Sequence, residues 1–234
     1  MNGVFDLGGT DGLGPIVVDN DEALFGEEWE RAGFAMFSMC FRAGFFGLDE
    51  FRHAVEKMDP AAYLKSPYYA HWLHAVEHFA TTVGGLDTAE LERRTQMYLE
   101  NPAEPLPEHD DDGAVLAFVN EVVPTGASAK RETKNEARFA VGEWVRVNRD
   151  SPAGHTRRAG YVRGCVGEIV MAHGGYIYPD AAGNGMGEAP EHVYTVRFDS
   201  TELWGKETGD ANGAVYFDVW DPYIELNEKK ESAA

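Results

Sequence analysis

Residues 47–79, GLDEFRHAVEKMDPAAYLKSPYYAHWLHAVEHF, decide how the first half of the chain folds. Phe51, Val55 and Met58 recur at helical spacing. The helix they imply ends near the Asp59-Pro60 step, because a residue before proline avoids the helical conformation. Ser66 and Pro67 then make a helix start, a hydroxyl to cap free amides followed by a ring whose fixed φ suits the first helical position. The continuation, YYAHWLHAVEHF, is too aromatic to face only water. Arg52 and Glu56 lie one turn apart on the first helix, and Tyr68, His71 and Trp72 cluster early on the second. Such a surface suits a buried interface or a pocket rim. An arginine placed there needs an acid partner, from within the chain or from another molecule.

Working outward, Glu27 to Phe46 reads as a helix with Trp29, Phe37, Cys40, Phe41 and Phe45 on its apolar side and acids in its first turn, as the helix dipole favours. A break at Gly84-Gly85 precedes LDTAEL, whose capping box and hydrophobic staple predict a further helix through Tyr98. Before all of these, residues 1–26 are glycine-rich and aperiodic but carry Val4, Phe5, Leu7, Leu13, Ile16, Val17 and Val18. They are more apolar than a solvating tail requires, so the segment reads as an extended arm laid over another surface. A loop folded on its own domain is the alternative. After residue 100 comes an acidic, proline-rich stretch, then a short apolar helix within 113–123 that Pro124 ends. The polar segment 125–137 reads as a linker between a helical domain, 27–124, and a second domain, 138–228.

In that second domain the grammar changes. FAVGEWVRV, CVGEIVMAHG, HVYTVRF and AVYFDVWDPYIEL show period-two alternation, about five short strands with glycine-marked bends, as in a small curled β-barrel. YIYPDAAGNGMGEAPEH is a long loop between strands, stiffened by prolines and turned at its glycines. The whole reads as an α+β multidomain chain: arm, helical domain, small barrel.

The 234 residues include 40 acidic and 20 basic ones, a formal charge of −20. That balance disfavours nucleic acid and anionic membrane surfaces as partners. Cys40 and Cys165 form neither a ligand motif nor a disulfide framework, which suits a reducing compartment. MNGVFDLGG lacks the basic leader and apolar run of a signal peptide, and no stretch approaches a membrane span, so a cytoplasmic location is expected.

Chemistry-bearing motifs are sparse. His71, His74 and His78 fall on nearly one helical face beside Glu77, but their spacing is not that of a tight metal site; packing or hydrogen-bonding histidines are the expectation. HExxH, CxxC, EF-hand and Walker motifs are absent, and GGTDGLG lacks the strand and helix that make a phosphate loop. The other polar concentration is GHTRR, 154–158, followed by Arg163. Two readings stand: a solvated loop that balances local charge, or a site where Arg157 joins Arg52 on an anionic group, each offering a planar donor fork.

Six stretches carry a resemblance: MNGVFDLGGTDGLGP, FRAGFFGLDEFRHAVEKMDPAAYLKSPYYAHWL, ELERRTQMYLENPAEPLPEH, GHTRRAGYVRGCVG, GGYIYPDAAGNGMGEAPEHVYTVRF, and ELWG through VWDPYIEL. In order and over nearly the whole length, they resemble the beta subunits of nitrile hydratases, the cobalt branch more than the iron one. The resemblance implies a long arm, a helical domain and an SH3-like barrel, paired obligately with an alpha subunit in an α2β2 or higher assembly. It implies a lyase that hydrates a small organic nitrile to its amide. The alpha subunit would hold Co(III), with Fe(III) the second choice, through a cluster containing oxidised cysteines; this chain would bind no metal itself. Arg52, in DEFR, and Arg157, in GHTR, match the arginines that bond the oxidised cysteine oxygens. Glu56, Tyr68 and His71 match a supporting hydrogen-bond shell, and Phe37, Leu48, Phe51 and Trp72 match residues of the substrate channel, although core packing explains Phe37 and Leu48 almost as well. Kept beside this are a thiocyanate hydrolase-type subunit, whose relatives resemble separated pieces of the same fold, and a maturation chaperone for the alpha subunit.

Overall fold

In the computed structural model, residues 3–15, 18, 23–108 and 113–227 are described. Two compact units emerge, Val17–Ser128 and, separately, Ala129–Ala234 together with Met1–Ile16. Of the expected arm, residues 1–2, 16–17 and 19–22 lie outside the described residues, as do 109–112 in the acidic stretch and the tail from 228.

The first unit is helical. Helix α1 (Glu28–Arg42) opens with the Glu30 carboxylate accepting the Gly26 N–H at 2.6 Å, and α2 (Leu48–Glu56) with Glu50 accepting the Gly47 N–H at 2.7 Å. In each, a first-turn acid satisfies an amide that the helix leaves without a partner. Helix α3 (Pro60–Lys65) is a turn and a half that periodicity did not reveal. Asp59 starts it, its Oδ1 accepting the N–H groups of Ala61 and Ala62 at 3.0 Å each, with Pro60 at the first position. Ser66 is therefore the C-cap of α3; α4 (Tyr68–Thr82) begins after Pro67 without a side-chain cap, so the expected Ser66 cap is not made.

Helices α1 and α2 both pack on α4. Phe51 and Ala54 from α2 and Ala75 from α4 are buried with Phe46, and Phe37, Phe41, Phe45, Trp72 and Phe79 close around them. These positions follow the three- and four-residue steps that put side chains on one helix face. Phe37 lies 4.6 Å from both Phe51 and Trp72, edge to face, and Phe51 lies 5.4 Å from Trp72. Such pairs each add about 0.5–1.5 kcal/mol beyond their buried area. The chain leaves this core at Gly84, where a Cβ would run into the Phe45 ring, and Gly85, whose φ is +73°. Helix α5 (Thr88–Glu100) then starts on Asp87, which accepts the Glu90 N–H at 2.9 Å, and α6 (Gly113–Thr125) carries Pro124 in its final turn.

The second unit is a five-stranded antiparallel sheet: β1 (Trp144–Val147), β2 (Val166–Tyr176), β3 (Glu191–Asp199), β4 (Ala214–Trp220) and β5 (Ile224–Leu226), in the order β4-β3-β2-β1-β5. Between β2 and β3 lies the short helix α7 (Pro179–Ala182), so the long glycine-rich loop is partly helical. Helix α8 (Ser200–Trp204) follows β3. Strands β4 and β5 are at opposite edges, yet only Asp221–Tyr223 separate them. The step from Trp220 to Ile224 spans at most about 14 Å. In a flat sheet the outer two of five strands lie about 19 Å apart. The sheet is therefore coiled, and register shifts between Ile169 and Met171 and between Ala172 and Gly174 mark where β2 bends. Val145, Val147, Ile169, Val196, Phe198 and Val219 fill its inner face.

Two segments without strand periodicity are tied to this sheet by polar groups. Lys130 bridges Tyr176, and Arg131 forks onto Glu188 at 2.7 and 2.8 Å. At the amino-terminal end Asp6 accepts the Gly160 N–H at 2.8 Å, and Gly8 and Gly9 press against the Tyr161 ring. Among the described residues no helix is long and apolar enough to cross a membrane.

Candidate functional site

Each unit carries part of the predicted chemistry. On the helical unit, Arg52 projects from α2 and is half-exposed, while Asp49, one turn earlier, is buried. Arg52 Nη1 donates to Asp49 Oδ1 at 2.9 Å. Asp49 is thus the acid partner that an arginine in this stretch requires, and the bond through Nη1 steers the rest of the guanidinium.

Helices α3 and α4 are joined by a polar contact. His71 stacks on the Tyr63 ring, 4.6 Å between centroids and 13° from parallel, and its Nε2 lies 2.9 Å from the Tyr63 carbonyl oxygen. A carbonyl only accepts, so Nε2 carries the proton in this bond. Burial pushes the Tyr63 phenol up, and the charge of Glu56 and the nearby Tyr68 push it further. His71 is therefore tied to Tyr63, a residue that sequence reasoning missed. No spacing rule singles out a tyrosine in a helix as short as α3. Tyr68 itself is exposed, its ring edge-on to Tyr69 and Trp72.

Of the expected channel residues, Phe51 is buried in the aromatic core, Phe37 and Trp72 are half-buried against it, and Leu48 is exposed at the start of α2. His74 is exposed and His78 leans on Phe79. Among the described residues no group of three or more His, Cys, Asp or Glu is arranged to hold a metal ion.

On the sheet unit, the solvated-loop reading of GHTRR does not hold. His155 and Thr156 are fully buried and Arg158 is 3% exposed. The reason is a set of distant polar groups. Asn184, just after α7, accepts the His155 N–H at 3.1 Å through Oδ1 and donates through Nδ2 to the His155 carbonyl at 3.0 Å and the Asp180 carbonyl at 2.7 Å. Gly183 lies so close to the His155 ring that a Cβ would collide with it. Tyr223, 1% exposed, completes the support. Its hydroxyl accepts the Arg157 N–H at 3.1 Å and the Thr156 hydroxyl at 3.3 Å, and donates to Asp180 Oδ1. Burial, and then the Asp180 charge, push the Tyr223 phenol far above its ordinary range, so the proton stays on it.

The three arginines separate by environment. Arg158 turns inward, its guanidinium 5.1 Å above the Tyr223 ring. Arg163 donates to the Arg158 carbonyl at 2.9 Å and to Ser151 at 3.2 Å. Arg157 is half-buried, held through its backbone. None of these residues lines the polar cleft of about 540 Å³ formed by Asn135, Arg138, Asn148, Glu191 and Asp221 on the same unit. The supports Asp180, Asn184 and Tyr223 carried no local sequence signal, because they act on a loop far away in the chain.

Comparison with known proteins finds matches to two family models. Residues 1–115 match the family described as nitrile hydratase beta subunit, N-terminal, and residues 128–226 its C-terminal counterpart. The chain is 56% identical over 234 residues to nitrile hydratase subunit beta of Rhodococcus sp, with 100% of both chains covered. It is also 56% identical over 234 residues, again 100% of both, to the cobalt-containing nitrile hydratase subunit beta of Pseudonocardia thermophila. To the low-molecular weight cobalt-containing nitrile hydratase subunit beta of Rhodococcus rhodochrous it is 48% identical over 225 residues, 96% of this chain and 99% of that one. A solved thiocyanate hydrolase from Thiobacillus thioparus is similar at 23% identity and a TM-score of 0.39, covering 51% of this chain and 100% of that one, too distant to bear on activity. Matched in both halves and along its full length, the chain belongs to the nitrile hydratase beta-subunit family.

Proposed function

We propose that this chain is the beta subunit of a cobalt-type nitrile hydratase and hydrates a small organic nitrile to its amide together with an alpha subunit that carries the metal. The carrying observation is the 56% identity, over both full lengths, to a cobalt-containing relative. The donor set suits a supporting role: Arg52 and Arg157 offer guanidinium N–H groups, which bind oxygens and not metals. The partner's cobalt centre, Co(III) in preference to Fe(III), supplies Lewis-acid polarisation when bound. This chain's own residues do the rest.

In this reading Arg52 and Arg157 donate to oxygens on oxidised cysteines of the alpha subunit. A guanidinium offers five N–H donors and satisfies several acceptors without exchanging a proton. Asp49 orients the first and the Tyr223 hydroxyl holds the backbone of the second. Glu56, Tyr68 and His71 form the polar surround of Arg52's helix, and His71 spends its Nε2 proton on the Tyr63 carbonyl, which fixes the ring. Phe37, Leu48, Phe51 and Trp72 give an apolar wall for the nitrile's organic part. The coiled sheet is the family's SH3-like barrel, the amino-terminal segment beyond its Asp6 attachment reaches to the partner, and the complex is an α2β2 or higher assembly in the cytoplasm.

Co-expression with the alpha subunit in cobalt medium tests the reading. The complex should convert nitrile to amide and the isolated chain should not. Robust hydration by an alpha-free preparation, or a complex that hydrolyses thiocyanate and leaves nitriles untouched, would overturn it.

A further inference from the structure

Arg157 is half-buried in a loop, and a loop by itself does not hold a guanidinium to the fraction of an ångström that a reacting site needs. The Arg157 main chain, by contrast, is held by a one-way series of hydrogen bonds. The Arg158 backbone N–H can only donate; it points to Thr156 Oγ1 at 3.3 Å. Thr156 in turn donates to the Tyr223 hydroxyl at 3.3 Å, and Tyr223 donates to Asp180. The Arg157 N–H joins at the tyrosine oxygen, 3.1 Å away. A hydroxyl has one proton and two lone pairs, and all three are used here. Because every member has its polarity set by the next, the Arg157 amide has a defined acceptor at a defined place.

We propose that Tyr223, anchored on Asp180, is a positioning residue that fixes the Arg157 backbone and thereby aims its guanidinium. The inference rests on the reading of Arg157 as a donor to the partner subunit. Tyr223 lies in DPYIEL, where it packs as a core aromatic beside Tyr178 and Trp220, so its ring alone accounts for its burial. The hydroxyl is what packing does not explain. Asp180 adds a second point: it lies on α7, the same short element that leads to Asn184, which clamps His155 two residues before Arg157.

The test uses the assembled alpha–beta complex with Tyr223→Phe, which keeps the ring and removes the hydroxyl. Amide hydrogen exchange at 155–158 should become roughly tenfold faster while β1 to β4 are unchanged. Turnover per bound metal should fall roughly tenfold to a hundredfold at unchanged KM, the effect of a misplaced group remote from the substrate. The R157K/Y223F double variant should be no slower than R157K, because both act through one guanidinium. Unchanged exchange at 155–158 would overturn the clamp, and multiplying losses in the double variant would show that Tyr223 acts elsewhere. Wild-type turnover in R157K would remove the arginine's role, and with it the clamp's purpose, even where the exchange result holds. If Y223F does not assemble, Asp180→Asn, which keeps an acceptor but not its charge, should show the same pattern with a loss of roughly twofold to fivefold. Full turnover with unchanged exchange in D180N would overturn the proposal.

Discussion

The Arg157 backbone nitrogen lies 3.1 Å from the Tyr223 hydroxyl, although the two residues are 66 positions apart. Arg52, on the other unit, is steered by a neighbour three positions away, Asp49, at 2.9 Å. The two arginines are thus held by different means, one through its main chain by a distant side chain, the other through its side chain by a local one.

The local pair gives a first prediction. Asp49→Asn keeps the shape of the buried acid but removes the charge facing Arg52. Since Arg52 is half-exposed, solvent screens the pair and the stability loss should be about 1 kcal/mol or less. Turnover of the complex should drop severalfold all the same, because the guanidinium loses its orientation. Denaturant unfolding together with nitrile-hydration rates would show this split; equal, negligible changes in both would mean that Asp49 does not steer Arg52.

How much of this was legible follows from where each signal lives. The aromatic run of α4 and the Asp87 start of α5 announce themselves, since periodicity and caps are properties of neighbouring residues. Helix α3 did not, because six residues carry too little periodicity and its Asp59 cap was obscured by the more familiar Ser66-Pro67 signal. DEFR and GHTR pointed to Arg52 and Arg157 through resemblance. The burial of the GHTRR loop was hidden, for it depends on Asn184 and Tyr223, 29 and 67 positions from their partners. A run of arginine, histidine and threonine resembles a solvated loop until those partners are in place. Likewise Asp221, between β4 and β5, accepts from Tyr194 and Arg138 and holds the corner, contacts with residues 27 and 83 positions away.

That corner predicts an alkaline limit. Burial, with the Asp221 carboxylate adding to it, pushes the Tyr194 phenol up to about 12 from an ordinary value of 10.0. A group whose pKa is raised by folding contributes stability that is fully present below its unfolded value and lost as pH climbs through the folded one. The melting-temperature advantage of the wild type over Tyr194→Phe should therefore be constant up to about pH 10 and shrink between about 10 and 12. An advantage that stayed constant through that window would show that the phenol is not held protonated by the fold.

The most direct test compares R52K, R157K and R158K as purified alpha–beta complexes, measuring nitrile-hydration rate per bound metal. Lysine keeps the charge but not the planar fork, and leaving a charged acceptor without its partner in a desolvated interface costs on the order of 2–5 kcal/mol. R52K and R157K should assemble and lose most of their turnover, more than tenfold each by that figure. R158K removes a buried guanidinium that lies over the Tyr223 ring, so it should cost about 2 kcal/mol in stability and leave most of the turnover of the folded complex intact. Near-wild-type rates in both R52K and R157K would contradict the assigned role of the two arginines, and an R158K complex as slow as R157K would contradict the choice between the adjacent pair.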